Sequence, residues 1–192
     1  MIAIGNGESR SAIEIDKIQD VKIGCNAVIR SHFVEHTVCV DKRMLKECVQ
    51  YGVNTENIHT RHRLCIGEIG IVKQLPDLPY QGTERWDDPF HWGSGPYAVL
   101  IAASLSATVK MIGFDLYSNN DFVNNCYKDT ENYDLSTKRS VDPRYWIHQI
   151  GTVFECFAHT AFTIFQTPDW QLPKKWNLPN VYVDKISNFT YT

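Results

Sequence analysis

Short apolar segments alternate with segments of helical spacing along most of this chain, and that alternation restricts the folds it can adopt. The strand-like segments are residues 2–4, 21–26, 37–41, 57–61, 109–114 and 161–165. The helical segments are residues 9–18, 42–51, 95–107 and 143–158. This order predicts an α/β fold that is Rossmann-like, with a mostly parallel sheet and helices on both faces.

The composition is that of one globular domain over residues 1–192. Hydrophobic residues make up 43% of the chain, the net charge is −3, and there is no basic run. We therefore expect no nucleic-acid partner, and the longest apolar stretch, residues 97–105, is too short to span a membrane. Six cysteines without a C-x-x-C pair indicate a reducing, cytoplasmic location. Long loops are expected at about residues 66–92 and 117–142, the first with one strand pair at residues 65–72. The proline-containing tail is expected to wrap over the surface.

The first strand runs directly into a glycine turn, in the segment "IAIGNGESR". Backbone N–H groups at Gly5-Asn6-Gly7 and the start of a helix suit an anion, and Ser9 can cap that helix or donate to a phosphate. Arg10 stands where a dinucleotide-binding motif needs its third glycine, and no acidic residue ends the second strand, so such binding is disfavoured. Taken alone, the segment is equally compatible with a purely structural turn.

Polar residues follow the other strands of the expected sheet. Ligands of parallel sheets bind at the carboxyl ends of the strands, where Asn26, Asp41 and Asp115 stand. Ser94-Gly95 begins an apolar helix, and a second helix N-terminus facing the same crevice would suit a nucleotide phosphate. Each residue also has an ordinary structural interpretation, as a turn residue or a helix cap.

Histidines and adjacent aspartates are the titratable candidates for a catalytic or metal-binding role. His148 lies on a predicted helix and suits a general base because its ordinary pKa is near neutrality, although a lone helix histidine is more often structural. His59 and His62 form H-x-x-H, but arginines flank the pair and no third ligand has suitable spacing. Asp87-Asp88 is a weak metal-binding signal. We therefore predict no metal site.

The order of these motifs resembles that of the bacterial lipooligosaccharide sialyltransferases. Related proteins are the motility accessory factors and the archaeal-type pterin pyrophosphokinases. The matching blocks are "IAIGNGESR", Cys25-Asn26, "SGPYAVLIAASLSATVKMIGFDLY" and "YWIHQIGTVFECFAHTAFTIF". They cover about a third of the chain, and the added lid region of those enzymes has no counterpart here.

The resemblance implies a glycosyltransferase that uses a CMP-activated sugar as donor substrate, with no metal or other cofactor. The implied nucleotide-binding residues are Asn6, Gly7, Ser9, Asn26, Ser94, Gly95 and Asp115. Tyr117 corresponds to a tyrosine that hydrogen-bonds the departing phosphate, and Tyr127 is a second candidate for that role. His148 corresponds to the base that takes the proton of the acceptor hydroxyl. The partner would be a glycan or small-molecule acceptor.

Two other functions remain open on the same scaffold. One is Mg²⁺-dependent pyrophosphoryl or nucleotide transfer, in which Asp87, Asp88 or Asp115 would hold the metal. The other is a nucleotide-binding module without catalytic activity. The aromatic segment at residues 86–92 suits a sugar contact, a lid or a contact within a homo-oligomer.

Overall fold

One eight-stranded parallel sheet organises the computed structural model, which describes residues 1–61, 72–118 and 121–192. Every pairing between neighbouring strands is parallel. The strands are β1 (Ile2–Ile4), β2 (Lys22–Cys25), β3 (His36–Val38), β4 (Ile58–Thr60), β5 (Lys73–Gln74), β6 (Thr108–Ile112), β7 (Ala161–Gln166) and β8 (Val181–Lys185).

The strand order places a topological switch in the middle of the sheet. The order is β5-β4-β3-β2-β1-β6-β7-β8, so the chain starts at the centre, moves outward to β5 and returns beside its first strand. Ile2 is in register with Lys22 of β2 on one side and with Lys110 of β6 on the other. Loops leaving β1 and β6 diverge at such a point and leave a crevice at the carboxyl ends of the strands.

Helices cover both faces of the sheet, which confirms the predicted α/β, Rossmann-like fold. The helices are α1 (Lys42–Gln50), α2 (Ser94–Leu105) and α3 (Arg144–Cys156). Helices α2 and α3 share a core with Ala3 and Met111, whereas α1 packs with Ile58 on the other face. Helix α2 is apolar nearly all round because it lies between the sheet and α3.

The predicted helix at residues 9–18 is wrong. Two 3₁₀ helices, Glu8–Ala12 and Ile15–Lys17, stand there, separated by an extended Ile13. Ile13 and Ile15 both pack into the core on the sheet face that α2 does not cover, which an α-helix could not achieve with residues two positions apart. Tertiary burial of these isoleucines therefore prevails over local helical spacing.

The tail also differs from the prediction that it wraps over the surface. Val181–Lys185 pairs with β7 over five positions and extends the sheet as β8. The predicted strand pair at residues 65–72 lies almost entirely outside the described residues. The described residues of 117–142 contain an isolated bridge between Phe122 and Arg139 and no longer strand or helix. None of the helices in the described parts of the chain has the length and apolar character needed to cross a membrane.

Candidate functional site

A cavity of about 360 Å³ opens at the carboxyl ends of β1, β2 and β6, beside the first turn of α2. We call it the switch-point crevice. Its lining includes six of the seven residues that the resemblance implies for nucleotide binding, namely Asn6, Gly7, Asn26, Ser94, Gly95 and Asp115. Tyr117 lies at its edge and contributes to the same lining. Residues from four separate parts of the chain therefore meet at the point where the sheet topology reverses.

A hydrogen bond between Asn26 and Ser94 joins the end of β2 to the start of α2. The Ser94 hydroxyl donates to Asn26 Oδ1 at 2.9 Å and accepts from the backbone N–H of Val40 at 3.2 Å. Asn26 has φ of 51°, in the left-handed region that asparagine tolerates better than most residues. The contact fixes both side chains at the crevice and leaves the amide nitrogen of Asn26 available to a ligand acceptor.

The N-terminus of α2 faces the crevice without a side-chain cap. Gly93 is the N-cap residue and supplies no side-chain acceptor to the first turn. Gly93, Ser94, Gly95 and Pro96 all line the cavity. Pro96 has no N–H and the Tyr97 N–H donates to the Gly93 carbonyl, so the N–H groups of Ser94 and Gly95 are the two of this turn without a partner among the described residues. Together with the positive end of the helix dipole they can receive an anionic group.

The glycine turn after β1 is, in contrast, already filled by groups of the protein itself. Ser9 donates its N–H to Asp115 Oδ2 at 2.9 Å and its hydroxyl to Asp115 Oδ1. The N–H of Gly7 donates to the Gly113 carbonyl at 2.8 Å, and that of Glu8 donates to Asn124 Oδ1 at 2.8 Å. The carboxylate of Asp115 thus stands where a bound anion would stand at this turn.

Close approach explains why the turn needs glycines. A Cβ atom at Gly7 would lie well under 3.0 Å from the Asp115 carboxylate, and one at Gly5 would collide with the Gly113 carbonyl. The turn and the loop after β6 are therefore packed directly against each other, and the contact has no room for any larger residue at either position.

A buried arginine lies beneath the crevice. Arg10 is 3% exposed and donates to the Gly5 carbonyl at 2.8 Å, to Asn6 Oδ1 at 3.1 Å and to the Tyr127 hydroxyl at 2.6 Å. None of the ion pairs found among the described residues involves it. Its charge raises the positive potential under Asn6. The sequence had drawn attention to Arg10 only as the residue that interrupts a glycine motif.

The candidate tyrosines occupy different positions. Tyr117 lines the crevice, and burial raises the pKa of its phenol, so it is a hydrogen-bond donor at neutral pH. Tyr127 is 8% exposed and lies behind the crevice lining, against Arg10. Tyr133, which the sequence did not single out, lines the crevice and accepts from Asn6 Nδ2 at 3.1 Å. Burial is the main cause of its raised pKa. Its position in a loop carries no local signal that predicts this placement.

His148 lies outside the lining of the crevice. Its Nε2 is 2.6 Å from Asp87 Oδ1 and its Nδ1 is 3.3 Å from Lys175 Nζ. Trp146 and Ile150 of the same helix do line the crevice. Two residues of separation rotate a side chain by about 200° around an α-helix, so His148 stands on the opposite face of α3.

Asp87, the acidic partner of His148, accepts several hydrogen bonds within the protein. Burial tends to raise the pKa of Asp87, but hydrogen bonds from His148, from the Glu84 N–H and from Tyr80 lower it overall. Asp87 also closes the 3₁₀ helix Arg85–Asp87 through the Glu84 N–H at 2.9 Å. The Asp87–His148–Lys175 cluster therefore joins the aromatic segment to α3.

The H-x-x-H pair can be followed only in part, because His62 lies outside the described residues. His59 Nε2 is 3.2 Å from His36 Nδ1 on the neighbouring strand. Burial, then the nearby His36 and Lys73, lower the pKa of His59 to about 4. In the described ranges, no group of three or more histidine, cysteine or carboxylate side chains is arranged to hold a metal ion.

A second cavity of about 440 Å³ adjoins the crevice. We call it the lateral cavity, and it extends toward the carboxyl end of β7 and the segment that follows it. Asp115, Tyr117 and Asn124 line both cavities, so the two spaces meet at these side chains. Ser9 belongs to the lateral cavity, which separates it from Asn26 and Ser94. Trp170 and Gln166, which the sequence analysis did not select, are part of this second lining.

Comparison of the chain with known proteins found no matching family model, no similar curated protein and no similar solved structure.

Proposed function

We propose that the protein is a glycosyltransferase that holds a CMP-activated sugar in the switch-point crevice. The observation that carries the proposal is the hydrogen-bonded pair Asn26 and Ser94 beside the uncapped start of α2. This pair combines neutral polar groups for a nucleoside with a helix terminus for its phosphate. The resemblance of the sequence motifs to those of bacterial sialyltransferases gives the nucleotide and the reaction class.

The size and chemistry of the crevice suit a nucleoside monophosphate. Its volume of about 360 Å³ lies within the usual range for small-molecule sites. Aromatic side chains of Tyr133, Tyr145 and Trp146 line it and offer flat surfaces to a pyrimidine. The amide nitrogen of Asn26 can donate to a base edge or a ribose hydroxyl, whereas that of Asn6 already donates to the Cys25 carbonyl and the Tyr133 hydroxyl.

The proposal assigns the phosphate to the start of α2 and not to the glycine turn, because Asp115 fills that turn. The helix dipole of α2 and the buried charge of Arg10 would stabilise the two negative charges of departing CMP. Tyr117 and Tyr133 would donate hydrogen bonds to the same phosphate oxygens, since both phenols stay protonated at neutral pH.

The proposed transfer is a single displacement at the anomeric carbon of the donor sugar. The acceptor oxygen forms a bond to the anomeric carbon, the bond from that carbon to the CMP phosphate breaks, and its electron pair stays on the phosphate. The acceptor proton passes to a base. The proposal favours Asp115 for this role, because it lines both cavities whereas His148 lies on the far face of α3.

Calorimetry with CMP tests the proposal at its first step. We expect CMP to bind without added Mg²⁺, and we expect Ser94→Ala to weaken binding about tenfold. The variant removes the hydrogen bond that holds the Asn26 side chain at the crevice, which contributes about 1 kcal/mol or slightly more. Ser104→Ala is the matched control, because Ser104 lies at the other end of α2 and bonds to the Leu100 carbonyl. Absence of CMP binding in the folded wild type would exclude the proposal, and strict dependence on Mg²⁺ would favour pyrophosphoryl transfer.

A further inference from the structure

The lateral cavity has a lining that suits a sugar ring. Trp170 and Tyr117 present aromatic surface, and Gln166, Gln171 and Asn124 supply side-chain amides. Hydroxyl groups of a pyranose both donate and accept, and planar amides and carboxylates match this pattern while an aromatic ring covers the apolar face of the sugar. The combination is more specific than a polar surface groove of the same size.

Two of these side chains are held in place by the loop after β6. The indole N–H of Trp170 donates to the Asp115 carbonyl at 2.7 Å, and its ring packs 6.2 Å from that of Trp176. Gln166 is 1% exposed and donates to Asp115 Oδ1 at 3.3 Å. Because these groups are fixed before any ligand arrives, binding costs little side-chain entropy.

The described side chains that line the lateral cavity are all neutral or acidic. Glu8, Asp115 and Asp169 contribute carboxylates, and no lysine, arginine or histidine stands among the described residues that line it. Glu8 is paired with Lys128, and Asp115 is held by Ser9 and Gln166. Asp169 is exposed and belongs to the same lining. Asp115 and Asp169 form no ion pair within the described residues, so a carboxylate or phosphate on a ligand would meet repulsion from them.

We propose that the lateral cavity is the acceptor subsite and that it selects a neutral sugar over an anionic one. As an acceptor subsite, this inference rests on the proposed transferase function. The junction formed by Asp115, Tyr117 and Asn124 is then where the acceptor hydroxyl meets the donor sugar. The carboxylates that exclude anionic acceptors leave the hydroxyl groups of a neutral pyranose free to bind.

Ligand-observed saturation-transfer NMR with matched glycosides tests the charge selectivity directly. The probes are methyl glucoside and methyl galactoside, each compared with its uronate, which differs only by a carboxylate at C6. We expect at least one neutral glycoside to bind about tenfold more tightly than its uronate, a difference that corresponds to about 1.4 kcal/mol. Adding CMP at a concentration that saturates the crevice should leave this preference unchanged.

Asp169→Lys is the informative variant, because it places a cation in the lining of the cavity at an exposed position. We expect it to reduce the preference for the neutral glycoside to about threefold or less. Glu155→Lys is the matched control, since Glu155 is exposed on α3 and lies outside both linings. It should leave the preference as in the wild type.

The outcomes separate this inference from the proposed function. Equal or tighter binding of the uronates, or no glycoside binding while CMP binds, would overturn the acceptor subsite and leave the nucleotide proposal intact. Binding of a neutral glycoside without any CMP binding would overturn the transferase proposal and retain a neutral-sugar site. An effect of Glu155→Lys as large as that of Asp169→Lys would show that net charge, not the cavity, determines the preference.

Discussion

The glycine turn after β1 and the start of α2 look alike in sequence, but only the glycine turn is closed by a side chain of the protein. Both combine small residues with the first turn of a helical segment, and both line the switch-point crevice. At the glycine turn, the N–H groups of Gly7 and Ser9 donate to Gly113 and Asp115. At α2, the N-cap residue Gly93 provides no such side-chain acceptor.

This contrast indicates that the glycine turn cannot bind an external anion while the Asp115 carboxylate occupies it. Asp115 comes from a loop 106 residues away from Ser9 along the chain, so no local pattern reveals the competition. The open N-terminus of α2 is therefore the better candidate for a phosphate, and the glycine turn acts as a brace that positions Asp115 between the two cavities.

Substitution of the turn glycine should have the largest effect. We expect Gly7→Ala to lower the free energy of unfolding by about 3 kcal/mol, because its Cβ would overlap the Asp115 carboxylate. The carboxylate cannot move away without losing its hydrogen bonds from Ser9. Chemical denaturation measures the change.

Gly95→Ala is the matched control at the other turn. A Cβ there meets Phe114 only at 3.5 Å, an ordinary contact, so stability should stay the same or rise by up to about 1 kcal/mol. Comparable losses in the two variants would contradict the proposed difference between a closed turn and an open one.

His59 on β4 should make the stability of the fold depend on pH, so the two turns are best compared above about pH 6.5. Folding lowers the pKa of His59 to about 4 from an ordinary 6.5, chiefly through burial. Between these values the unfolded chain binds the proton more readily, so this contribution is complete above about pH 6.5 and is lost as the pH falls toward 4. The loss amounts to about 3 kcal/mol at most.

Denaturation midpoints measured from pH 7.5 to pH 4 test this expectation. The variant His59→Gln removes the titrating ring and should flatten the profile over that window. An unchanged slope in the variant would assign the acid sensitivity to other groups.

Removal of the internal carboxylate should open the glycine turn to solutes. We expect Asp115→Asn to cost about 2 kcal/mol of stability, because the new amide N–H faces donors of Ser9 or Gln166. The variant should also gain more thermal stability from phosphate than the wild type does, at matched ionic strength. Equal protection by phosphate in both proteins would mean that Asp115 does not occupy an anion position.

The smallest effect is expected at His148. His148→Ala removes the contacts with Asp87 and Lys175 and should cost about 1 kcal/mol of stability. Because His148 lies outside the crevice lining, CMP affinity should change less than twofold. A tenfold loss of CMP affinity would assign His148 to the nucleotide site, and loss of transfer with unchanged CMP binding would assign it the role of general base.

Six of the eight strands and all three α-helices of the described residues were predictable from local pattern. The alternation of strand and helix signals led to a parallel sheet, and the strict apolar character of α2 marked it as the buried helix. The residues after β1, β2 and β6 were recognised as the edge of a crevice, because parallel strands carry their carboxyl ends to one side. These features depend on spacing along the chain, which the sequence displays directly.

Local spacing along the chain was enough to predict the fold class and to bring Asn6, Asn26, Ser94 and Asp115 to one edge of the sheet. Tertiary packing was needed to show that Asp115 closes the glycine turn, that Arg10 is buried beneath it, and that His148 faces away from the crevice. Strands and helices form from local periodicity, whereas these side-chain partners are selected by packing between loops far apart in the chain.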